Sequence, residues 1–92
     1  MELAGKAALV TGGSRGVGAA TARMLAHGGC RVAINYHQDV DSAKAVAAQC
    51  RESGADALVV QGDVAEDEAC RAMVAAAEEA FGGLDILINN AG

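Results

Sequence analysis

Short, unbroken apolar runs alternate along this chain with longer segments in which apolar residues recur at helical spacing. The runs occupy residues 7–10, 31–34, 57–60 and 84–88 and are rich in Val, Ile, Leu and Ala. Runs without polar alternation are typical of strands buried on both faces of a sheet. The segments between them predict helices, whose apolar stripes are Val17, Ala20, Thr21 and Met24, then Ala43, Val46, Ala47 and Cys50, then Cys70, Met73, Val74, Ala77 and Phe81.

Glycines and short acidic residues mark the ends of the predicted helices. Residues 28–29 and 82–83 are Gly-Gly pairs that end the first and third helices, and Gly54 is the C′ residue of the second. Asp39 or Asp41 is the N-cap of that second helix. The stripes also predict that the methionines of the first and third helices fill the core.

The alternation of strands and helices predicts an α/β fold with a Rossmann-type doubly wound parallel sheet. The order of elements is βαβαβαβ, and right-handed crossovers arrange the strands as 3-2-1-4. The first two helices then cover one face of the sheet and the third covers the other. Ligands of such sheets bind where the strand order reverses, which here lies between the first and fourth strands.

A glycine-rich turn joins the first predicted strand to the first predicted helix. Residues 11–18 read TGGSRGVG, with the spacing Gly12-x-x-x-Gly16-x-Gly18. Glycines allow the backbone to approach an anion closely, and the free N–H groups at a helix N-terminus bind it. The spacing is neither G-x-G-x-x-G nor the G-x-x-x-x-G-K-[ST] of NTPases. A plain loop is the alternative, but the position between strand and helix favours a phosphate-binding turn.

Composition and charge exclude several classes of partner. The chain has 92 residues, one domain at most, with a net charge of −5 and a pI of about 4.7, so nucleic acids and membranes are not expected partners. No apolar run could span a bilayer, and the first residues do not form a secretory signal, so we expect a cytoplasmic protein. Cys30, Cys50 and Cys70 form no metal-binding spacing with His27 or His37, so we expect reduced thiols and no metal site.

Three further motifs follow the predicted strands. Asn35-Tyr36 follows the second strand, Asp63-Val64 the third, and the sequence N-N-A-G at residues 89–92 the fourth. Together with T-G-x-x-x-G-x-G at residues 11–18, they occur in the order and at the spacing of the classical short-chain dehydrogenase/reductase family. The chain therefore resembles the N-terminal half of that family. The sequences at residues 6–16 and 32–36 most resemble its 3-oxoacyl-(acyl-carrier-protein) reductase branch.

This resemblance implies a nicotinamide dinucleotide as cofactor. Gly12, Gly16 and Gly18 would form the turn that holds its pyrophosphate, with Ser14 and Val17 in the same cofactor-binding segment. Arg15 would contact the 2′-phosphate of NADP, because a guanidinium matches a phosphate bidentately. The alternative for Arg15 is an ordinary solvated charge.

The remaining motifs imply how the adenosine half is bound. NAD-preferring relatives carry an Asp at the end of the second strand, whereas this chain has Asn35 and Tyr36, followed by His37, so we expect NADP rather than NAD. Asp63 would accept a hydrogen bond from the adenine amino group, and Val64 would line the base; capping of the third helix is the alternative for Asp63. The adenosine ribose would be walled by Asn90, Ala91 and Gly92.

The family's catalytic residues, a Ser and a Tyr-x-x-x-Lys pair, follow the N-N-A-G motif. Tyr36 is the only tyrosine, and Val40 rather than a lysine stands four residues after it. We therefore expect residues 1–92 to be the N-terminal NAD(P)-binding half of an NADP-dependent oxidoreductase, without the C-terminal catalytic half and without activity of its own. Its substrate would be a small carbonyl or alcohol such as a 3-oxoacyl thioester, and the full-length form a homo-oligomer. A non-catalytic nucleotide-binding module, a subunit completed by a second chain and a non-functional product are the alternatives.

Overall fold

Strands and helices alternate along the whole of the computed structural model, which describes residues 2–90. The elements are β1 (Ala7–Thr11), α1 (Gly16–His27), β2 (Arg31–Tyr36), α2 (Val40–Glu52), β3 (Ala57–Gln61), α3 (Asp67–Phe81) and β4 (Ile86–Asn89). The predicted number, type and order of elements are confirmed. The first three strands extend one or two residues past their predicted ends.

The fourth strand begins later than the predicted residue 84. Leu84 packs on the α3 side of the sheet, and Asp85 makes a separate pair of bonds with β1. Its backbone N–H donates to Ala7 O at 2.9 Å, and its carboxylate accepts from Ala7 N at 2.9 Å. Because Asp85 uses its side chain to satisfy Ala7, the regular ladder starts one residue later, at the Ala8–Ile86 pair.

All four strands are parallel and lie in the order β3-β2-β1-β4, as predicted. In the central register Val10 is paired with both Ile34 and Ile88. Every residue of β1 is buried, and so are the inner residues of β2. The edge strands β3 and β4 are only half-buried, which corrects the expectation that all the strands are covered on both faces.

The two faces of the sheet carry cores of unequal size. The larger core packs α1 and α2 against β1 and β2, and the predicted α2 stripe of Ala43, Val46, Ala47 and Cys50 is buried there. The smaller core packs α3 against the opposite face through Met73 and Ala77, which contact Leu9 and Ala33. The predicted division of the helices between the two faces is therefore confirmed.

The predicted buried stripe of α1 is wrong. Val17 and Met24 are 72% and 69% exposed, and the helix buries instead Gly18, Ala19, Ala22, Leu25 and Ala26. Small side chains let α1 lie close to the sheet, and this helix is apolar over so much of its surface that periodicity alone does not identify the buried face. Met24 is thus not a core residue, whereas Met73, at 2% exposure, is.

The helix ends follow the predicted signals. The C-cap of α1 is Gly28, followed by Gly29 with φ +97°, and the C-cap of α3 is Gly82 in the left-handed conformation. The N-cap of α2 is Asp39, not Asp41, and its carboxylate accepts from Ser42 N at 3.0 Å. None of the helices in residues 2–90 is long and apolar enough to cross a membrane.

The two methionines provide a test of the assigned buried faces. Met73→Ala should lower the free energy of unfolding by about 2–5 kcal/mol, because it leaves a cavity between α3 and the sheet. Met24→Ala, which truncates an exposed side chain, should change it by less than about 0.5 kcal/mol. Urea unfolding of the two variants measures both values, and equal destabilisation would contradict the assignment of the α1 faces.

Candidate functional site

A cleft of about 470 Å³ opens at the carboxyl ends of β1, β2 and β3. Parallel strands place all these ends at one edge of the sheet, so the segments that follow them meet there. The lining comes from the turn after β1, the segment after β2 and the segment after β3, and consists of Gly12, Ser14, Arg15, Asn35, Tyr36, His37, Gln38, Asp39, Gly62, Asp63 and Val64.

The turn between β1 and α1 forms one wall of this cleft. Gly12 and Gly16 have φ values of +61° and +59°, a region in which other residues are strained. The N-cap of α1 is Arg15, whose side chain makes no capping bond, and the first turn holds no acidic residue. The N–H groups at this helix start are therefore available to an anion, and the helix dipole favours a negative charge there.

Gly18 allows α1 to begin directly against the end of β1. A Cβ atom built on Gly18 would lie 2.2 Å from the carbonyl oxygen of Gly12 and 2.8 Å from Asn90 Nδ2. No side chain fits at that distance, so the motif requires glycine here for packing. Gly16, Val17 and Gly18 form the first turn of α1 but do not line the cleft.

Asn90 joins the end of β4 to the same turn. Its backbone N–H donates to Thr11 Oγ1 at 3.0 Å, and its Nδ2 donates to Gly12 O at 3.5 Å. The Thr11 hydroxyl in turn lies 3.2 Å from Ile88 O, to which it donates. Asn90 therefore holds the glycine turn from the side of β4, while the predicted site residues Ala91 and Gly92 lie outside the described residues.

The two residues at the end of β2 differ in where their side chains lie. Asn35 is buried, with its Oδ1 accepting from Gly12 N at 2.9 Å and its Nδ2 donating to Gly62 O at 3.1 Å. Tyr36 is half-buried and borders the cleft, with His37 exposed beside it. A ligand in the cleft would thus meet Tyr36 and His37 rather than the amide of Asn35.

Asp63 faces the cleft from the β3 side. Its Oδ1 accepts from Ala65 N at 2.9 Å, and its Oδ2 lies 3.8 Å from His37 Nε2. The N-cap of α3 is Glu66, so Asp63 does not cap that helix and the alternative role considered for it is wrong. One carboxylate oxygen holds the turn, and the other is directed across the cleft towards His37.

Residues 37–39 and Gly62 line the cleft although the sequence did not single them out as binding residues. Asp39 accepts from Ser42 Oγ at 2.6 Å and from Ser42 N at 3.0 Å. These bonds lower the pKa of the Asp39 carboxyl, and the positive charge of Arg15 lowers it further. The rim of the cleft thus carries both charge signs close together. Residues 37–39 and Gly62 directly follow the ends of β2 and β3, and this position was the signal that could have identified them.

Within residues 2–90, no group of three or more His, Cys, Asp or Glu side chains is arranged to hold a metal ion. Burial raises the pKa values of the Cys30 and Cys50 thiols. Both lie in the larger core, and neither contributes to the cleft.

A parallel sheet of order 3-2-1-4 with a glycine turn at the start of α1 defines the class of doubly wound dinucleotide-binding folds. The comparison with protein families narrows this class. Residues 6–92 match the model of the short chain dehydrogenase family. The chain belongs to the short-chain dehydrogenase/reductase family, which confirms the resemblance stated from its motifs.

Known relatives support the same assignment. The chain is 44% identical over 91 residues to an uncharacterized oxidoreductase of Methylorubrum extorquens, with 99% of this chain covered. It is 42% identical over 87 residues to the 3-oxoacyl-(acyl-carrier-protein) reductase FabG of Staphylococcus aureus, with 95% covered. Among solved structures, a short chain dehydrogenase of Burkholderia cenocepacia in complex with NADP is 52% identical, with a TM-score of 0.95 over all of this chain.

The chain spans little more than a third of each of these proteins. The matched region is 37% of the Methylorubrum protein, 35% of the Staphylococcus protein and 38% of the Burkholderia chain. The comparison therefore concerns the part of the family fold that contains the glycine turn and the cleft.

The close contact at Gly18 predicts an unusual effect of a helical glycine. Replacing Gly by Ala inside a helix normally stabilises it by about 1 kcal/mol, but Gly18→Ala should destabilise by about 1–3 kcal/mol through the clash with Gly12 O. Gly16→Ala is the matched control, since its Cβ meets nothing within 4 Å and costs only about 1–2 kcal/mol of backbone strain. Urea unfolding measures both values, and a stabilised Gly18→Ala chain would disprove the contact.

The Asp39 cap predicts a defined pH dependence. Its pKa in the folded chain lies below the ordinary value of 3.8, so at acid pH the unfolded chain binds more protons. The stability that Asp39 contributes is fully present above pH 3.8, the ordinary pKa of the group. It is lost as the pH falls through the lower pKa that Asp39 has in the folded chain. Asn caps about as well as Asp, so the unfolding free energies of wild type and Asp39→Asn should converge on acidification. A difference independent of pH would contradict this.

Proposed function

We propose that residues 1–92 form the amino-terminal, cofactor-binding part of an NADP-dependent oxidoreductase. The observation that carries the proposal is the cleft itself, in which the turn before α1, the end of β2 and the end of β3 bring Arg15, Tyr36 and Asp63 together. Membership of the short-chain dehydrogenase/reductase family supports the reaction class. When bound, the nicotinamide cofactor supplies or accepts the hydride that is exchanged with a carbonyl or alcohol substrate.

The glycine turn fits the pyrophosphate of such a cofactor. The start of α1 has no side-chain cap and no acid in its first turn, and Gly18 allows the helix to begin directly against Gly12. We assign Ser14 and Val17 to the same segment. The helix dipole favours the bound phosphate by about 0.3–1 kcal/mol.

The adenosine half fits the rest of the cleft. We assign Arg15 to the 2′-phosphate, and Asp63 with Val64 to the adenine, since Asp63 Oδ2 is directed into the cleft as an acceptor. Asn90 borders the turn from the β4 side and is assigned, together with Ala91 and Gly92, to the ribose. These roles follow the motif positions of the family.

NADP is favoured over NAD by the side chains of Tyr36 and Arg15 at the rim of the cleft. Tyr36 stands where a carboxylate would bind the ribose hydroxyls of NAD, and Arg15 provides a cation at the same rim. The negative charge of Asp39 opposes a 2′-phosphate, and the positive charge of Arg15, which acts on the same carboxylate, offsets it. The similar Burkholderia protein, whose structure contains NADP, supports this preference.

The substrate and assembly of the whole protein are inferred from its relatives. Similarity to the 3-oxoacyl-(acyl-carrier-protein) reductase of Staphylococcus aureus makes a 3-oxoacyl thioester the best-supported substrate class. We place the catalytic Ser and Tyr-x-x-x-Lys of the family outside these 92 residues, and we expect a cytoplasmic homo-oligomer. Residues 1–92 alone should therefore bind the cofactor without turning over a substrate.

Titration of the chain with NADPH and NADH, followed by the fluorescence of the reduced nicotinamide, tests the proposal. NADPH should bind more tightly, and Arg15→Ala should weaken it by about ten- to hundredfold through the loss of charge-assisted bonds, with little effect on NADH. Arg51→Ala is the control for net charge, since Arg51 donates to Ala57 O at the opposite edge of the sheet. Absence of NADPH binding, or equal losses for the two arginine variants, would overturn the proposal.

A further inference from the structure

Asn35 is a buried polar residue whose side chain lies between two parts of the cleft. It is 2% exposed, and it sits one residue before the end of β2, beneath the glycine turn. A buried amide is costly unless its donors and acceptor are paired. The hydrogen-bond partners of this amide therefore show which segments of the chain it connects.

The amide bridges the glycine turn and the end of β3. Oδ1 accepts from Gly12 N at 2.9 Å, and Nδ2 donates to Gly62 O at 3.1 Å and lies 2.8 Å from the Met73 sulfur. Since Gly12 N–H can only donate and Gly62 C=O can only accept, the orientation of the amide is determined. No shorter residue, and no apolar one, could bond to both segments.

The main chain of Asn35 adds a second bond to the same turn. Its carbonyl oxygen accepts from Gly13 N at 3.1 Å. The consecutive N–H groups of Gly12 and Gly13 are thus both held by Asn35, one by its side chain and one by its backbone. Gly12 is also the residue whose carbonyl oxygen meets Gly18 at the start of α1, so a shift of Gly12 would move the anion-binding end of that helix.

On the other side, the amide holds the residue that precedes Asp63. Gly62 contributes its carbonyl to Asn35 and its N–H to Tyr36 O at 3.0 Å. A Cβ on Gly62 would lie 2.6 Å from the Met73 sulfur, so this segment is packed tightly as well. The position of Asp63 at the cleft therefore depends on the β2 end that carries Asn35.

We propose that Asn35 is a positioning residue that sets the spacing between the phosphate-binding turn and the base-binding end of β3. The proposal rests on the NADP function proposed above. Asn35 does not contact the cofactor in this scheme; it acts through Gly12 and Gly62. The pyrophosphate and the adenine of the cofactor must be held at a definite separation. A single amide that bonds to both Gly12 and Gly62 fixes the separation between the two segments that would hold them.

The test combines cofactor binding with amide hydrogen exchange on the 92-residue chain. Asn35→Ala removes the side-chain bonds to Gly12 and Gly62 together with the other bonds of the amide, whereas Val32→Ala creates a cavity in the same strand near its opposite end. The two variants are compared at a temperature equally far below their melting points. NADP⁺ affinity, measured by calorimetry, should fall about tenfold in Asn35→Ala, as expected for loss of a buried bond, and less than about twofold in Val32→Ala. Equal losses would overturn the proposal.

Hydrogen exchange provides a readout that needs no ligand. In Asn35→Ala the Gly12 amide should exchange much faster, while the Gly13 amide, bonded to the main chain of residue 35, should change less. Unchanged exchange at Gly12 would disprove the positioning role. If the wild-type chain binds no NADP⁺, the proposed function fails, but exchange at Gly12 still decides whether Asn35 holds the turn.

Asn35→Asp separates the two bonds and keeps the test open if Asn35→Ala does not fold. The carboxylate retains the acceptor for Gly12 N but places a charge against Gly62 O; protonation restores a donor and removes the charge. The affinity for NADP⁺, relative to wild type at the same pH, should therefore improve as the pH is lowered from about 8 to about 6. A pH-independent ratio would count against the bridge to Gly62.

Discussion

The contact between Gly18 and the carbonyl oxygen of Gly12 is the constraint on which the rest of the site depends. A Cβ on Gly18 would lie only 2.2 Å from that oxygen, so α1 begins directly against Gly12, the first residue after β1. That approach brings the start of the helix to the carboxyl edge of the sheet, where β1 lies between β2 and β4. Asn35 at the end of β2 and Asn90 after β4 both bond to Gly12 in this turn, and Asn35 also bonds to Gly62 after β3.

The remainder of the fold accommodates this approach. α1 packs against the sheet through Leu25 and several alanines, whereas Val17 and Met24 face outward. The opposite face holds a smaller core around Met73, which also reaches the amide of Asn35. Packing on both faces thus supports the positions of the residues that line the cleft.

Much of this arrangement could be predicted from the sequence because its signals are local. Unbroken apolar runs, glycine pairs and the Asp39 cap define the elements, and the alternation of strands and helices leads to the strand order 3-2-1-4. The family motifs identified most of the residues that line the cleft. The start of β4 was missed because Asp85 bonds to Ala7 with its side chain, a long-range contact that no local pattern encodes.

The face of α1 and the role of Asn35 could not be predicted for a related reason. α1 is rich in glycine and alanine and has apolar residues on more than one face, so the periodicity of its sequence does not identify the buried face. Asn35 was interpreted by its position at the end of β2, where the family discriminates between cofactors. Whether its side chain points into the cleft or into the core depends on the partners that the fold provides, Gly12 and Gly62.

The dual position of Asp39 has a consequence for proton balance. Its carboxylate caps α2 and lines the cleft within the electrostatic reach of Arg15. A phosphate group brought to Arg15 would place negative charge beside this carboxylate and raise its pKa, so at acid pH the ligand and a proton would be taken up together. Ligand binding at one end of the cleft would in this way be linked to the charge state of the residue on which the first turn of α2 depends.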